Sequence, residues 1–510
     1  MAAGQYGVAD LRSDRPMPCL LVPNDEAAAA LTRMAAQRGL SWARVQVGGA
    51  GALREAFAAC EPGGVLAAWL DAVTNGPALL DDIAGVTRAG SPIVLLHDGI
   101  DAVPGCVIPA DRVRAALFEA SGAISAGSAR DLLDLAFLLA ALRGLWVGHR
   151  VAILTGGGGG GVIAADLCAQ SGLQVPPLSD ATRAALVPLV PAIASTGNPV
   201  DLTPEMFTER FYDRFGAALD TVASDPAVDA VLLPTTFNAP RGNVVAAQVL
   251  AAFARRCPKP VLVAADPAQD MRGVFAEEGT AVLPDVSHAA RALAKLMRRA
   301  AWQPQGASSA PTSPAALDLG TLETAGFFLA SHPPTTPAGA VQAARRIGFP
   351  LVVSQPSQGR HAADIWDESE LAEAVGRLQA QDGADALMTL RRDLPGLLTL
   401  RILATRDPTF GPVVAIGAGG LQGRILDRLA IMRAPFDAAA AAAMLSGHPV
   451  IAHARKMLGT LDLGPAAAAL ALLSAMAAAE VARFDLVLDP VEILPDGLRV
   501  LDATLSRSER

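Results

Sequence analysis

The sequence has few cysteines, no apolar leader and no long apolar run, and each shortage excludes a class of protein. The cysteines are scattered and none forms a CxxC pair, so neither a zinc site nor a disulfide framework is predicted (Cys19, Cys60, Cys106, Cys168 and Cys257). No uncharged apolar run approaches the ~20 residues that span a bilayer, and the N-terminal MAAGQYGVADLRSDRP has no apolar signal core. We therefore expect a soluble, cytoplasmic protein with no membrane partner.

Basic residues are also sparse. Charged residues make up only 18% of the chain, no lysine or arginine run occurs, and the net charge is −9 at pH 7. Because basic patches supply most of the affinity for nucleic acid, nucleic-acid binding is excluded. The hydrophobic share of 52% instead indicates a globular protein. A length of 510 residues is too great for one core and suggests roughly three domains.

Two consecutive regions share one pattern of apolar runs. After a tail of residues 1–17, residues 18–148 alternate runs such as CLLVP and PIVLLH with helix-like segments, and residues 150–301 repeat this with VAILT and PVLVAA. Continuous apolar runs separated by about ten or more helical residues are typical of buried parallel strands with crossover helices. We therefore predict an α/β protein with two doubly wound domains in tandem.

The last region differs in texture. Residues 302–315, beginning WQPQGASSAPTSP, are rich in Pro, Ser and Gln and are predicted to be a linker. In residues 316–510 strand-like segments lead directly into one another, and a Pro-Asp-Gly turn signal at 495–497 separates FDLVLDPVEIL from LRVLDATL. This pattern predicts a terminal hairpin in an α+β domain.

A run of glycines follows the strand VAILT directly. Removing every Cβ from a strand–helix connection lets successive backbone N–H groups converge on an anion, and the helix start adds roughly half a positive charge. No Lys-Ser/Thr follows, so the run is not a Walker A loop. The other interpretation is a flexible turn without a ligand. The run comprises Gly156, Gly157, Gly158, Gly159, Gly160 and Gly161.

Two segments here resemble one family. TGGGGGGVIAADLCAQSGL is similar to the T-N-x-G-G-P-G-V-x-A-A-D segment of the NDP-forming acyl-CoA synthetases, and STGNPVDL at 195–202 is similar to their S-x-G-N-P-V-D block. The resemblance implies flavodoxin-like domains at 18–148 and 150–301 and an ATP-grasp domain at 316–510. It also implies an anion-binding role for Asn198. The family's Rossmann CoA-binding domain finds no counterpart, so CoA would need a separate subunit as partner.

The first domain departs from the family at its reacting group. The family relays a phosphoryl group on a histidine, and the resemblance places Val103 at that position. His97, at the end of its strand, is the alternative nucleophile, or else an ordinary strand-end residue. The family's phosphate-gripping turn has become Pro23-Asn24-Asp25-Glu26, in which Asn24 is a good N-cap and two carboxylates repel phosphate.

The ATP-grasp region is similarly mixed. Ser354 stands where the family has its nucleotide-binding lysine, and Arg360 is a candidate replacement for the lost cation. Gly419 and Gly420 preserve a framework strand and a candidate nucleotide contact. Asp489 and Asp502 correspond to the family's magnesium ligands on facing strands. Alternatively, they are two solvated aspartates without a metal.

These matches and departures leave three functions open. The first is a divergent acid–thiol ligase that couples ATP/ADP turnover to acyl-CoA formation from a carboxylic acid, with Mg²⁺ and CoA. The second is a non-catalytic scaffold or regulatory subunit that binds nucleotide or acyl-CoA. The third is transfer of an acyl or carbamoyl group on the same scaffold. Relay enzymes of this type bring domains or subunits together, so an oligomer is expected.

Overall fold

The structure is a computed structural model that covers most of the chain. The described residues are 17–71, 73–97, 107–142, 148–208, 211–235, 242–265, 273–276, 278–280, 282–302, 311, 316–329, 335–347, 349–355, 360–382, 388–392, 399–420, 423, 428–458, 461–494 and 497–508. Val103 and most of the predicted linker lie outside them. The chain divides into two compact units, the first with two parallel sheets and the second with two further sheets. The predicted domain boundaries stay predictions.

Sheet 1 forms the first part of unit one. Its strands run parallel in the order β2-β1-β3-β4-β5, which is the flavodoxin-like order 2-1-3-4-5. The strands are β1 (Cys19–Val22), β2 (Arg44–Val47), β3 (Leu66–Leu70), β4 (Ile93–His97) and β5 (Ile124–Ser125). The helices of this part of the chain are α1 (Asp25–Ala36), α2 (Leu53–Ala58), α3 (Gly76–Arg88), α4 (Ala110–Ala120) and α5 (Ala129–Ala141). Residues 76–77 of α3 and 110–117 of α4 cluster with unit two.

Sheet 2 repeats the same topology. Its order β10-β9-β8-β6-β7 is again 2-1-3-4-5 when counted within the domain, so the prediction of two tandem flavodoxin-like domains is confirmed. The strands are β6 (Val151–Thr155), β7 (Val200–Asp201), β8 (Ala230–Pro234), β9 (Val261–Ala264) and β10 (Val282–Leu283). The helices are α6 (Gly158–Gln170), α7 (Asp180–Leu186), α8 (Tyr212–Ala223), α9 (Gly242–Arg256) and α10 (Val286–Ala300).

The two parallel sheets share one hydrophobic core. Helix α10 packs on β9 of sheet 2 and on β5 of sheet 1, and α5 packs on β3 and β4. Buried side chains from both sheets and both helices belong to a single cluster, among them Leu20, Leu135, Ile153 and Leu293. Helix α5 is apolar on nearly every face, as expected for a helix that is covered on all sides. The two domains therefore form one packed unit.

Unit two has the predicted α+β character. Sheet 3 is mixed, with the order β11-β19-β18-β15-β16-β17 and β20 beside β18, and sheet 4 is antiparallel, with the order β13-β12-β14. Its strands are β11 (Phe327–Leu329), β12 (Leu351–Gln355), β13 (Arg360–Ile365), β14 (Thr389–Arg392), β15 (Thr399–Asp407), β16 (Gly411–Ala418), β17 (Leu429–Arg433), β18 (Arg483–Leu494), β19 (Gly497–Val500) and β20 (Ala503–Ser508). Its helices are α11 (Pro337–Ile347), α12 (Glu368–Asp382), α13 (Ala438–Gly447), α14 (Pro449–Leu458) and α15 (Gly464–Ala479).

Local sequence signals explain several of these elements. Asn24 caps α1 as predicted, because its Oδ1 accepts the Ala27 N–H at 2.9 Å and Asp25 and Glu26 occupy the first turn. The predicted hairpin is confirmed by the antiparallel pairing of β18 with β19. No helix in the described part of the chain has the length and apolarity needed to cross a bilayer. The described cysteines are free thiols.

A carboxylate fixes the start of sheet 2. Asp229, just before β8, accepts the backbone N–H groups of His149 and Arg150 at 3.0 and 2.9 Å, and its other oxygen accepts Nη2 of Arg150 at 2.7 Å. The Arg150 guanidinium, helped by these backbone donors, lowers the pKa of Asp229. The neighbouring Gly148 has φ +133°, and a Cβ there would lie 2.4 Å from the Asp229 carboxylate, so this strand entry requires glycine.

Replacing Asp229 by Asn should destabilise the protein in a pH-dependent way. Because the folded-state pKa is lowered, the carboxylate's stabilisation is fully present above the unfolded pKa of about 3.9 and is lost as the pH falls through the folded-state value. Denaturant midpoints of the wild type and Asp229→Asn should therefore differ at pH 7 and converge at acid pH. A difference that is equal at both pH values would contradict the ionic role.

Candidate functional site

The glycine tract lies at the topological switch point of sheet 2. Strand β6 pairs with β8 on one side and with β7 on the other, so the strand order reverses at β6. In open parallel sheets, ligands bind outside the carboxyl ends of the strands at this position. The tract follows β6 at its carboxyl end. The topology therefore independently favours a ligand site where the sequence predicts an anion site.

The tract is mostly helix rather than loop, which corrects our prediction of a six-glycine loop. Helix α6 already begins at Gly158, with Gly157 as its N-cap. The amides of Gly160 and Gly161 both donate to the Gly157 carbonyl, at 3.1 and 3.3 Å. The amides of Gly158 and Gly159 have no acceptor among the described residues, as expected for the first turn of a helix. The anion-binding potential is thus concentrated in these two N–H groups.

The other glycines serve packing. A Cβ at Gly161 would lie 3.0 Å from both Pro199 Cβ and Thr155 Cγ2, whereas a Cβ at Gly159 would meet nothing within 4 Å. Gly161 therefore allows α6 to approach the segment before β7. Its backbone is buried, while Gly159 is exposed. Within one run of identical residues, the structural demand differs from position to position.

A carboxylate lies beside the helix start. Oδ1 of Asp201, the last residue of β7, accepts the Thr203 N–H at 3.0 Å, and Oδ2 lies 3.0 Å from the Cβ position of Gly158. A negative charge near a helix N-terminus stabilises the helix, and it also opposes a bound anion by about 1 kcal/mol at 4 Å in water. Asp201 was not among the predicted site residues, although the STGNPVD block contains it.

Thr203 carries backbone strain next to this carboxylate. Its φ is +59° with ψ 158°, which a β-branched residue rarely adopts, and its side chain is buried. The Thr203 Oγ1 has no hydrogen-bond partner in the described part of the chain. Strained residues concentrate at functional sites because the surrounding structure must hold them there. The strain supports a functional rather than a purely structural corner.

Asn198 belongs to the scaffold, which corrects its predicted role as an anion ligand. Its Oδ1 accepts the Ile153 N–H at 2.9 Å, and its Nδ2 donates to the carbonyls of Val151 and Pro176 at 3.0 and 2.8 Å. Both side-chain amide hydrogens are thereby used, and no side-chain donor is left for an anion. Asn198 instead connects the loop before β7 with strand β6.

His97, the candidate nucleophile, lies at a different sheet. It is the last residue of β4 in sheet 1, half-buried, with its ring 6.3 Å from that of Phe118. The glycine tract is at the carboxyl end of sheet 2. His97 is therefore placed as a strand-end residue of the first domain, and its role as nucleophile stays a prediction.

The predicted nucleotide residues of unit two lie on two sheets. Ser354 is in β12, paired with His361 and with Thr389, and Arg360 begins β13. The loop between these strands is outside the described residues. Gly419 follows β16, and its N–H donates to the Thr399 carbonyl at 2.8 Å. A Cβ at Gly419 would lie 2.4 Å from the Leu400 carbonyl oxygen, so glycine is required there for close packing.

The two predicted metal ligands, Asp489 and Asp502, lie close in the fold but differ in their surroundings, and their role as metal ligands stays a prediction. Asp489 is buried; its Oδ1 accepts the Gly420 N–H at 2.8 Å and its Oδ2 lies 3.8 Å from Nε of Arg401. Asp502 faces it through the backbone, with its carbonyl accepting the Asp489 N–H at 3.1 Å, but its side chain is exposed. No set of three His, Cys, Asp or Glu side chains converges on a metal position in the described residues. Asp489 thus has a protein cation as its neighbour.

The position of Arg401 follows from a bulge. Strand β15 pairs with β18 through Leu400↔Val491 and Ile402↔Leu488, so Asp489 and Pro490 together stand opposite Arg401. Such bulges redirect side chains and are frequent beside functional sites. The bulge therefore directs the permanently charged guanidinium of Arg401 at the Asp489 carboxylate, which the sequence predicts to be a metal ligand.

Two alanine substitutions should separate packing glycines from open ones. Gly159→Ala should stabilise the protein by about 0.5–1 kcal/mol, because alanine restricts the unfolded chain and meets no neighbour. Gly161→Ala should destabilise it, because Pro199 and Thr155 would have to shift. Thermal unfolding of both variants provides the measurement. Equal effects at the two positions would contradict this assignment.

The pairing of Arg401 with Asp489 is testable by a double-mutant cycle. Arg401→Met should lower the free energy of unfolding by about 1–3 kcal/mol. This is less than the ~3–5 kcal/mol typical of breaking a fully buried ion pair, because the arginine side chain is 23% exposed. In an Asp489→Asn background, which keeps an acceptor for Gly420, the same change should cost much less. An undiminished cost in that background would disprove the pairing.

Two domain families match the chain. Residues 151–270 match the Ligase-CoA domain and residues 321–506 match the ATP-grasp domain. The first match contains the glycine tract and β7, and the second contains Gly420, Asp489 and Asp502. Both sites described above therefore lie inside segments of known domain type.

Several curated relatives are similar over most of the chain. The ADP-forming acetate–CoA ligase I of Archaeoglobus fulgidus is 24% identical over 82% of this chain and 64% of its own length. A trans-feruloyl-CoA synthase from an unknown prokaryotic organism is 24% identical over 86% of this chain and 68% of its own length. The chain thus spans about two thirds of the relatives it matches.

One solved structure is that of the dinucleotide-forming acetyl-coenzyme A synthetase 1 of Ca. Korarchaeum cryptofilum in complex with phosphate and ADP. It is 21% identical, with a TM-score of 0.47, and the match covers 56% of this chain and 65% of that one. The domain matches and the full-length relatives agree with the segment resemblance and with the tandem flavodoxin-like topology. The chain thus carries a Ligase-CoA domain and an ATP-grasp domain and is similar over most of its length to ADP-forming CoA ligases, which supports the resemblance to the NDP-forming acyl-CoA synthetase family.

Proposed function

We propose that this chain is the nucleotide-coupled part of an acid–thiol ligase. In the proposed reaction a carboxylic acid, CoA and ATP give an acyl-CoA thioester, ADP and phosphate. The observation that carries the proposal is the start of α6, where the exposed amides of Gly158 and Gly159 have no acceptor in the described chain and lie at the switch point of sheet 2 within the Ligase-CoA segment. Such an arrangement suits the phosphoryl group that this reaction transfers.

The chemistry assigned to each part follows from its donors. The two glycine amides and the helix charge would stabilise a phosphoryl oxyanion without any side chain. Asp201 would limit the affinity for a free anion and so favour its release. In the ATP-grasp domain, Ser354, Arg360 and Gly420 are the proposed nucleotide contacts. Asp502, which is exposed, is the predicted aspartate that remains open to Mg²⁺ carried by a nucleotide.

The partners and substrates are part of the proposal. We propose that CoA is bound together with a separate CoA-binding subunit and that the active form is an oligomer; the similarity to a protein named as the alpha subunit of an ADP-forming acetate–CoA ligase supports a division into subunits. The relatives carry the names of an acetate and a trans-feruloyl ligase. A short aliphatic acid and an aromatic acid are therefore the first substrates to test.

The proposal predicts ATP-dependent thioester formation. The chain, supplied with the CoA-binding subunit of a relative, should convert ATP, CoA and either acetate or ferulate into ADP and acyl-CoA, detected by mass spectrometry. Because Asp201 opposes an anion at the start of α6, Asp201→Asn should lower the KM for phosphate in the reverse reaction roughly fivefold. Asp166→Asn, at an exposed position further along the same helix, is the matched control, because it removes one negative charge away from the helix start.

The role of His97 is tested in the same preparation. With γ-labelled ATP, a phosphohistidine would give acid-labile, base-stable label on the chain, and His97→Asn should remove it. The ligase proposal would be overturned if neither ADP nor a thioester formed with any acid under conditions in which the relative turns over.

One observation favours the second candidate, a non-catalytic subunit that binds nucleotide. Arg401 lies against the aspartate that the family uses for magnesium, so the ATP-grasp site has a cation of its own. This candidate predicts that ADP binds by calorimetry with the same affinity in Mg²⁺ and in EDTA, and that no turnover accompanies binding. Binding that requires Mg²⁺ would eliminate it.

A further inference from the structure

A buried arginine near the end of α10 lies beside a cavity in unit one. Arg299 is only 9% exposed, and it lines a cavity of about 210 Å³ together with Glu119, Lys295, Arg298 and Trp302. The cavity lies between the end of α4, strand β5 and the end of α10. It shares no residue with the glycine tract or with the ATP-grasp domain.

The charge of Arg299 is not balanced by a carboxylate in the part of the chain that the structure describes. Its guanidinium carbon lies 4.5 Å from the centre of the Trp302 ring, and its Nε has no acceptor among the described residues. Burial alone lowers the pKa of Arg299, with no opposing contribution from an acid. The guanidinium nevertheless stays protonated at neutral pH. A buried charge without a partner is costly, and a cation–π contact offsets only part of that cost.

The neighbouring cations are already paired. Lys295 Nζ donates to the Asp131 carboxylate at 2.6 Å and to the Ser125 carbonyl at 2.8 Å. Arg298 lies 3.9 Å from the Glu119 carboxylate. Two acids therefore pair with two of the three cations around the cavity. The remaining positive charge is that of Arg299.

Trp302 holds the arginine in this position. Its indole Nε1 donates to the Ala120 carbonyl at 2.8 Å, which ties the ring to the end of α4. Gly122, with φ +89°, leaves room for the ring, because a Cβ there would lie 2.9 Å from it. The ring is thus fixed on one side and covers the guanidinium on the other. A preorganised cation beside a cavity is suited to bind an anion.

We propose that this cavity binds a small oxyanion, with Arg299 as its principal ligand and Arg298 as a second cation at its rim. The shared chemistry is that of a carboxylate or a phosphate group, which accepts hydrogen bonds from a guanidinium at two oxygens. The site would be occupied either by a free organic acid or by inorganic phosphate.

The experiment measures thermal unfolding of the full chain at constant ionic strength. Phosphate and acetate, each exchanged for chloride, are the two arms that distinguish the sources. At about ten times its dissociation constant, the bound anion should raise the Tm of the wild type by about 2 °C. Arg299→Met should abolish this rise while keeping the Tm in chloride at least equal to that of the wild type, because an unpaired charge is removed.

Two further variants make the result decisive. Arg291→Met, on an exposed position of the same helix, removes one positive charge away from the cavity and should leave the anion response intact. Arg298→Gln, at a half-exposed position, should reduce the response and gives a second measurement if Arg299→Met does not fold. An equal rise in the wild type and in both cavity variants, or no rise in either anion, would overturn the proposal.

Discussion

The close approach of α6 to the segment before β7 is the constraint on which the candidate site depends. Gly161 allows this approach, because its missing side chain leaves space for Pro199 and Thr155. The Asn198 side chain then holds the same segment to β6 through hydrogen bonds with the Ile153 N–H and the Val151 carbonyl, and a third bond reaches the Pro176 carbonyl. Together these contacts place two unpaired amides and the Asp201 carboxylate at one corner of sheet 2. Without them the tract would be a mobile turn with no defined direction for its N–H groups.

Electrostatics opposes a bound ligand at both candidate sites. Asp201 places a negative charge at the helix start, and Arg401 places a positive charge against Asp489. In each case a charged side chain lies where the resemblance leads one to expect a ligand of the same sign: a phosphate in the first case, a magnesium ion in the second. The two sites thus have internal partners, which reduces the free energy that a ligand gains on binding. This reduction in binding free energy at both sites bears on the ligase proposal and on the non-catalytic alternative alike.

The shared core of unit one determines where the buried charge of Arg299 lies. Since α10 packs against strands of both sheets, its last turn reaches the end of α4, and there Arg299 is enclosed with Trp302. Arg298, one residue earlier, faces solvent and has an acid beside it. Adjacent arginines of one helix therefore differ in hydration and pairing, although the amino-acid pattern of the helix treats them alike. Packing between the two domains produces the difference.

The sequence by itself determined the architecture of unit one and the cap of α1. Continuous apolar runs such as VAILT can be satisfied only as buried strands, and Asn24 followed by two acids favours a helix start locally. It also located the glycine tract and the terminal hairpin, since strand, turn and glycine signals are short-range. The two-residue strands β5 and β7 were missed because so few residues carry no periodic pattern.

Only the tertiary structure decided which members of these motifs have free donors. The helical state of Gly158 to Gly161, the commitment of the Asn198 amide to backbone groups and the pairing of Asp489 with Arg401 all arise from contacts between residues far apart in the chain. A sequence pattern states which polar groups are present. Which of them are already satisfied depends on neighbours that folding brings together, because each hydrogen bond or ion pair made inside the protein removes a group that a ligand would otherwise use.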